Sequence, residues 1–143
     1  MNQYVKKYII MVSVLVLCGA GSAFAETTKI NNAIGSGTKL DNKKITVEGE
    51  AIGHIMKKGE FAWVNINDKT ASIGIWASCT ELSQIRNLGK HAVTGDWIRA
   101  YGIFNSHCPE HGGDADIHAD SLTVVTRGGS RDFAYDQEKA DAL

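Results

Sequence analysis

Apolar and polar residues alternate along the middle of the chain in a way that predicts five short strands. Residues 45–55 place an apolar residue or a glycine at every second position, which indicates a long strand bent at its glycines. The stretches FAWVNIND, residues 61–68, and ASIGIWA, residues 71–77, alternate with the same period. Two further strands are predicted at residues 95–104 and 117–125.

The period changes after the third predicted strand. Ser78 and Glu81 fit a capping box, in which Ser78 caps the first turn and Glu81 reaches back to it. The apolar residues that follow are spaced as on one face of a helix, and Gly89 suits the helix end; they are Leu82, Ile85 and Leu88. The pattern predicts one amphipathic helix of about ten residues.

The order strand, strand, strand, helix, strand, strand is that of the OB-fold. The predicted fold class is therefore all-β with little helix: a five-stranded Greek-key barrel with one short helix between strands three and four. The segments ITVEGEAIG, WVNINDKTASIGIW, GDWIRAYGIF and DIHADSLTVV, within residues 45–126, resemble OB-fold nucleic-acid-binding domains of the tRNA-anticodon-binding type. The resemblance implies binding of single-stranded nucleic acid, although such motifs specify fold better than function.

The N-terminus has the pattern of a secretory signal. Two lysines precede the apolar run YIIMVSVLVLCGAG, which is followed by Ala23-Phe24-Ala25, so we expect residues 1–25 to be removed. A lipoprotein signal at Cys18 is a weaker alternative, because Leu17 is bulky where such signals need a small residue. The apolar run is short for a bilayer span. We expect an exported protein of the bacterial type, periplasmic or secreted, with no stable membrane insertion after cleavage.

The flanks of the predicted barrel differ from it in composition. Residues 26–44 are polar with little periodicity and are interpreted as a leader that provides spacing, and residues 127–143 form a polar tail without an assigned function. Two of the 15 basic residues lie in the signal, which leaves 13 against 16 acidic residues. An acidic balance gives no general attraction to phosphate polyanions, although a local basic groove remains open.

The alternation places three aromatic side chains on the outer surface of strands two and three. In an OB-fold this surface is the ligand face, and exposed rings there could stack bases at about 1–3 kcal/mol each. The rings are Phe61, Trp63 and Trp76, and the turns add Lys57, Lys58 and Lys69. Two alternatives stay open: the rings pack against a flank or a partner, or the strand register is shifted by one and they lie in the core.

The loop HCPEHGGDADIH, residues 107–118, borders the same face. After export, a disulfide between Cys79 and Cys108 is the first expectation, closing about 30 residues and stabilising by roughly 3–4 kcal/mol. The alternative is a zinc site, for which the Gly-Gly pair allows a tight loop. Its ligands are Cys79, Cys108, His111 and His118, with His107, Asp114 and Asp116 in reserve. The third possibility is a polar loop whose groups pair with one another and with water.

Catalysis has little support in the sequence. No strand-turn-helix elbow or paired carboxylates accompany the cysteines, so we expect no enzyme. No cofactor is expected, with zinc as the alternative. The predicted function is an exported module that binds single-stranded nucleic acid on the aromatic face and on the loop with His107 and His111. The alternative is a disulfide-stapled or zinc-binding module that recognises an exported protein, a glycan or a redox partner.

Overall fold

A computed structural model describes residues 25–130 of the chain, so the predicted signal segment lies almost entirely outside the described residues. The helices are α1 (Ile30–Gly35) and α2 (Cys79–Leu82). The strands are β1 (Lys44–Lys58), β2 (Phe61–Asn67), β3 (Ser72–Ser78), β4 (Val93–Thr94), β5 (Trp97–Asn105), β6 (Asp116–Thr126) and β7 (Gly129–Ser130).

Five of these strands form a closed barrel in the order β1-β2-β3-β6-β5. All neighbours are antiparallel except β3 and β6, which run parallel and close the ring. The alternating residues of each strand fill the interior, and the largest fully buried side chains include Phe104, Ile66, Ile75, Ile98 and Ile117. The topology confirms the predicted five-stranded OB-fold barrel with a short helix after its third strand.

β1 is bent as its glycines predict. Gly53 has a φ of +76°, and the pairing of β1 with β2 shifts register between Ile52 and Met56. Positive φ is a conformation that glycine adopts at little cost, so Gly53 lets one long strand follow the barrel's curvature. Beyond the bend, Met56 lies opposite Trp63.

The helix after β3 is shorter than predicted. Ser78 caps it, accepting a hydrogen bond from the Glu81 backbone N–H at 3.1 Å, but α2 ends at Leu82. The Glu81 carboxylate does not return to Ser78; it accepts the Leu122 backbone N–H of β6 at 2.8 Å. After Leu82 the backbone tightens, and the N–H groups of Gln84 and Ile85 donate to carbonyls three residues back. The next two N–H groups, of Arg86 and Asn87, donate to the Asp96 carboxylate instead of continuing the helix.

Both flanks of the predicted barrel contain secondary structure. Although the sequence suggested that residues 26–44 provide only spacing, α1 lies there and fully buries Ile30 and Ala33 in the core. The Ile30 backbone N–H donates to Asp68 in the β2–β3 turn at 2.9 Å. At the other end, β7 pairs with β4. Within residues 25–130, no helix is both long and apolar enough to cross a membrane.

Candidate functional site

Two central strands present the predicted aromatic residues on the outside of the barrel. Trp63 on β2 pairs directly with Trp76 on β3, while the alternate residues Val64 and Ile75 are fully buried. The rings of Phe61 and Trp76 stack with centroids 5.6 Å apart and planes 12° apart, and Phe61 stays 45% exposed. The register predicted from the alternation is therefore the observed one, and Phe61, Trp63 and Trp76 form what we call the aromatic face.

Trp63 is held in a defined orientation on this face. Its indole N–H donates to the Asn65 side-chain oxygen at 3.0 Å. The ring lies across Gly74 of β3, where an added Cβ would come within 1.7 Å of Trp63 Cζ2. A glycine at residue 74 therefore leaves the space that the indole occupies.

A shallow groove of about 390 Å³ runs along the aromatic face. The end of β1 forms one of its sides, and the groove residues are Met56, Lys57, Lys58, Trp63, Trp76 and His111. Met56 is 50% exposed and was missed in the sequence, because its position opposite Trp63 depends on the register after the bend at Gly53. Lys57 and Lys58 lie where the sequence predicted, beside the rings.

Lys69, in contrast, lies far from the aromatic face. It occupies the β2–β3 turn, whereas the rings are at the other end of these two strands. Lys69 lies six positions after Trp63, which corresponds to roughly 20 Å along an extended strand. Lys69 instead borders a separate pocket with Trp97 and Arg127. The structure therefore places Lys69 apart from the groove that Lys57 and Lys58 border, and its part in ligand binding stays a prediction.

The loop between β5 and β6 folds tightly upon itself. The Cys108 backbone N–H donates to the Asp114 carbonyl at 3.0 Å, and the Gly113 N–H donates to the Cys108 carbonyl at 2.7 Å. Gly112 and Gly113 both have positive φ, 77° and 87°, which a glycine pair permits. The fold-back turns His111 toward the barrel surface beside the aromatic face.

Four side chains with metal-binding atoms converge beneath this loop. Cys108, His111, Asp116 and His118 each direct one such atom to a common point, and these atoms all lie within 4.8 Å of one another. Cys108 Sγ is 3.5 Å from His111 Nδ1 and 3.6 Å from His118 Nε2. Asp116 Oδ2 is 2.5 Å from His111 Nδ1 and 3.3 Å from His118 Nε2. We call this set the Cys-His-Asp cluster.

Burial shapes the electrostatics of the cluster. Asp116 is fully buried, and Asn105 of β5 donates to its Oδ1 at 2.8 Å, which leaves Oδ2 directed at the imidazoles. Cys108 is 3% exposed. Burial, reinforced by the neighbouring Asp116 carboxylate, raises the pKa of the Cys108 thiol above its usual value. The sequence held Asp116 only in reserve and gave no reason to select Asn105.

Cys79 lies outside the cluster. Both cysteines of the described residues are free, so the expected disulfide is not formed. Cys79 is instead fixed at the start of α2. There its thiol approaches the Gly59 carbonyl at 3.7 Å, and its backbone N–H donates to the Glu60 carbonyl. Of the four residues in the alternative zinc set, the structure brings Cys108, His111 and His118 together, and Asp116 stands beside them where Cys79 was expected.

The two loop histidines have different surroundings. His107 is exposed, with its ring against Gly113, and is not part of the cluster. His111 belongs to both sites: its ring centroid is 5.0 Å from Trp63, 4.8 Å from Trp76 and 5.3 Å from His118. The aromatic face and the Cys-His-Asp cluster thus share one side chain.

These features define an OB-fold barrel whose exposed aromatic face adjoins the Cys-His-Asp cluster, a set of side chains of the types that ligate metals. No family model and no curated protein matches the chain. Among solved structures it is similar to a Leishmania major protein assigned as an aspartyl-tRNA synthetase, at 12% identity over 78% of this chain and 23% of that one, with a TM-score of 0.56.

Two further synthetase structures are similar to the same degree. The aspartyl-tRNA synthetase of Entamoeba histolytica matches at 13% identity over 83% of this chain and 27% of its own, with a TM-score of 0.53. The asparaginyl-tRNA synthetase of Pyrococcus horikoshii matches at 18% over 72% and 24%, with a TM-score of 0.51. The chain spans about a quarter of each structure, and at these identities the similarity shows the OB-fold alone.

Proposed function

We propose that the protein is an exported OB-fold binding module, without catalytic activity, that holds single-stranded nucleic acid on its aromatic face. The observation that carries the proposal is the set of rings on adjacent strands, Phe61, Trp63 and Trp76, partly exposed beside two lysines. Bases are planar, and stacking on aromatic rings accepts any base. The likeness in fold to tRNA synthetases and the export signal predicted for the N-terminus support the proposal.

The groove offers both components that single-strand binding requires. Trp76 and Phe61 give a continuous stacked surface, and the exposed Lys57 and Lys58 lie at its edge. A second groove of about 450 Å³ continues on the other side of Trp63, where Asn65 and Ser72 add polar side chains. Rings for the bases and cations for the phosphates are the combination that sequence-tolerant binders use.

The net acidity of the chain limits the electrostatic contribution. If Lys57 and Lys58 are the only phosphate contacts, the affinity for a single strand should fall roughly sevenfold between 50 and 200 mM salt. Stacking responds weakly to salt, so most of the binding energy should remain. A glycan stacked on the same rings would show no such salt dependence.

The test is a titration of the purified protein with a fluorescently labelled oligothymidine and its RNA counterpart, followed by anisotropy. Trp76→Ala should weaken binding by roughly 5- to 150-fold, the equivalent of one stacked base. Tyr101→Ala is the matched control, because Tyr101 is 38% exposed on β5, which β1 and β6 separate from β2 and β3. A thermal melt confirms that each variant is folded.

The lysines allow a second matched pair. Lys58→Gln should weaken binding and lower the salt slope by about 0.7, whereas Lys69→Gln, at the far end of the hairpin, should change neither. Absence of binding to both oligonucleotides in 20 mM salt would overturn the proposal. So would equal losses from Trp76→Ala and Tyr101→Ala.

A further inference from the structure

We propose that Cys108, His111, Asp116 and His118 form a four-coordinate site for a zinc ion. The inference is independent of nucleic-acid binding, since it depends only on the geometry and chemistry of the Cys-His-Asp cluster. These four ligands come from a loop of ten residues and the first three residues of β6. Cys79, the other cysteine of the described residues, has no part in it.

The separations of the donor atoms fit a tetrahedral ion. Zinc bonds of 2.0–2.3 Å at tetrahedral angles place neighbouring N, O and S donors about 3.3–3.6 Å apart. Three cluster separations have this size: Cys108 Sγ to the imidazoles at 3.5 and 3.6 Å, and His118 Nε2 to Asp116 Oδ2 at 3.3 Å. The His111–Asp116 contact, at 2.5 Å, is shorter and must open on binding. All four donor atoms lie within 4.8 Å of one another.

The donor types select a borderline-soft divalent ion. A thiolate and two imidazoles suit zinc, and a carboxylate, which zinc also accepts, completes the four, whereas magnesium and calcium prefer oxygen ligands. Binding deprotonates the Cys108 thiol, and its proton leaves to solvent. The Asp116 carboxylate, already buried, gains the positive charge that compensates its desolvation.

Asn105 acts as a positioning residue for the site. Its amide donates to Asp116 Oδ1 and thereby directs Oδ2 at the imidazoles. Hydrogen bonds of this kind to ligating carboxylates typically contribute 10- to 100-fold to metal affinity. Asn105 pairs with Asp116 across the β5–β6 ladder, so the barrel itself supplies the support.

Metal binding should be felt on the aromatic face. Separation of His111 Nδ1 and Asp116 Oδ2 to tetrahedral distance requires a shift of roughly 0.8 Å. The His111 ring contacts both Trp63 and Trp76, so the shift changes the surroundings of two indoles. Intrinsic tryptophan fluorescence is therefore expected to report zinc binding.

The test is a competition between the purified protein and a chromogenic zinc chelator, with tryptophan fluorescence recorded in parallel. We expect one equivalent of zinc, with no response to magnesium. Cys108→Ser and His118→Gln should each lower the affinity by more than 100-fold, and Asn105→Ala by 10- to 100-fold. Bound Co²⁺ should show tetrahedral visible bands and a thiolate charge-transfer band that Cys108→Ser removes.

Two matched controls separate this site from its alternatives. Cys79→Ser removes the other described cysteine and His107→Ala the neighbouring loop histidine, and both should bind zinc like the unmodified protein. The proposal is overturned if Cys108→Ser and His118→Gln retain full affinity, or if Cys79→Ser loses as much as Cys108→Ser. Peptide mapping that finds Cys79 and Cys108 joined in the exported protein would overturn it as well. No nucleic acid enters the test, so its failure leaves the proposed function standing.

Discussion

Two aspartates at opposite ends of the β5–β6 hairpin are fully buried, yet they lie among partners of different chemistry. Asp96 immediately precedes β5, and Asp116 begins β6. Both carboxylates are buried and both accept hydrogen bonds, so neither burial nor the presence of hydrogen-bond partners distinguishes them. What differs is whether the partner groups can lose a proton and then ligate a metal ion together with the carboxylate.

Asp96 is enclosed by groups that only donate. It accepts hydrogen bonds from the backbone N–H groups of Arg86, Asn87 and Gly128, from the Asn87 amide and from the Arg127 guanidinium. Burial by itself would raise the pKa of Asp96, but these bonds outweigh it and hold the pKa far below its usual value. None of the groups that donate to Asp96 can ligate a metal together with the carboxylate. The role of Asp96 is therefore structural: it holds residues 86–87 and 127–128 together.

Asp116 has one donor of that kind, the Asn105 amide, and otherwise faces groups with exchangeable protons. Two imidazoles and a thiol can each release a proton and turn a lone pair toward a shared ion. The comparison teaches that the chemistry of the surrounding side chains, rather than burial, separates a carboxylate that fastens loops from one that can bind a cation.

The largest effect on stability is expected from Asp96→Asn. An amide cannot accept all five hydrogen bonds and leaves the Arg127 charge without its partner, so the free energy of unfolding should fall by about 3 kcal/mol or more. Urea unfolding measures it, with Asp114→Asn on the exposed loop as a control expected within about 0.5 kcal/mol. A loss below 1 kcal/mol for Asp96→Asn would remove the contrast on which the comparison depends.

Asp116→Asn should have the opposite profile. In zinc-free protein the amide retains the Asn105 contact and most of the packing, so the free energy of unfolding should fall by about 1 kcal/mol. The zinc affinity, measured against a chelator, should fall by more than 100-fold, while Asp96→Asn leaves it unchanged in the folded protein. If Asp96→Asn and Asp116→Asn show the same ratio of stability loss to loss of zinc affinity, the two aspartates have the same role and the distinction fails.

Local alternation was sufficient to predict the barrel and the aromatic face. The side of a strand on which a residue lies is fixed by parity, so Phe61, Trp63 and Trp76 could be placed outside as soon as Val64 and Ile75 were placed inside.

The length of α2 was harder to predict from the sequence. The spacing of Leu82, Ile85 and Leu88 is helical. The N–H groups of Arg86 and Asn87, however, donate to the Asp96 carboxylate, which lies ten and nine residues further along the chain.

The cluster could be predicted only in part because it depends on strand pairing. Parallel pairing of β3 with β6 sets Trp76 beside His118, and antiparallel pairing of β5 with β6 sets Asn105 beside Asp116. Neither the β3–β6 register nor the β5–β6 register can be predicted from the residues near the cluster. The sequence therefore suggested Cys79 as a ligand on its residue type and its place at a predicted helix N-terminus. Asp116, which was held in reserve, is the residue that the strand pairing brings into place.

Protonation in acid should remove the stability that the buried structural aspartates contribute, and Asp68 allows this loss to be measured. Burial raises its pKa, but bonds from Thr70, Ile30 and Ala71 lower it to about 2. A depressed pKa adds stability above the unfolded value near 3.9, which is lost as the pH falls toward 2. Asp68→Asn should therefore cost about 2 kcal/mol at pH 6 and little at pH 2. A cost independent of pH in urea unfolding would contradict this.

The smallest expected effect separates the aromatic face from the cluster. Gly74→Ala places a Cβ against the Trp63 indole, and the ring must leave its hydrogen bond to Asn65. Because Trp63 is only partly buried, the cost should be about 1 kcal/mol. Near-UV circular dichroism should change and oligonucleotide affinity should fall. Zinc affinity should persist, since Gly74 meets Asp116 through the strand pairing and the atoms nearest the added Cβ all belong to Trp63. Gly129→Ala, where an added Cβ meets nothing within 4 Å, is the control. Loss of zinc binding in Gly74→Ala would mean that Trp63 supports His111 directly, and that the face and the cluster form one inseparable site.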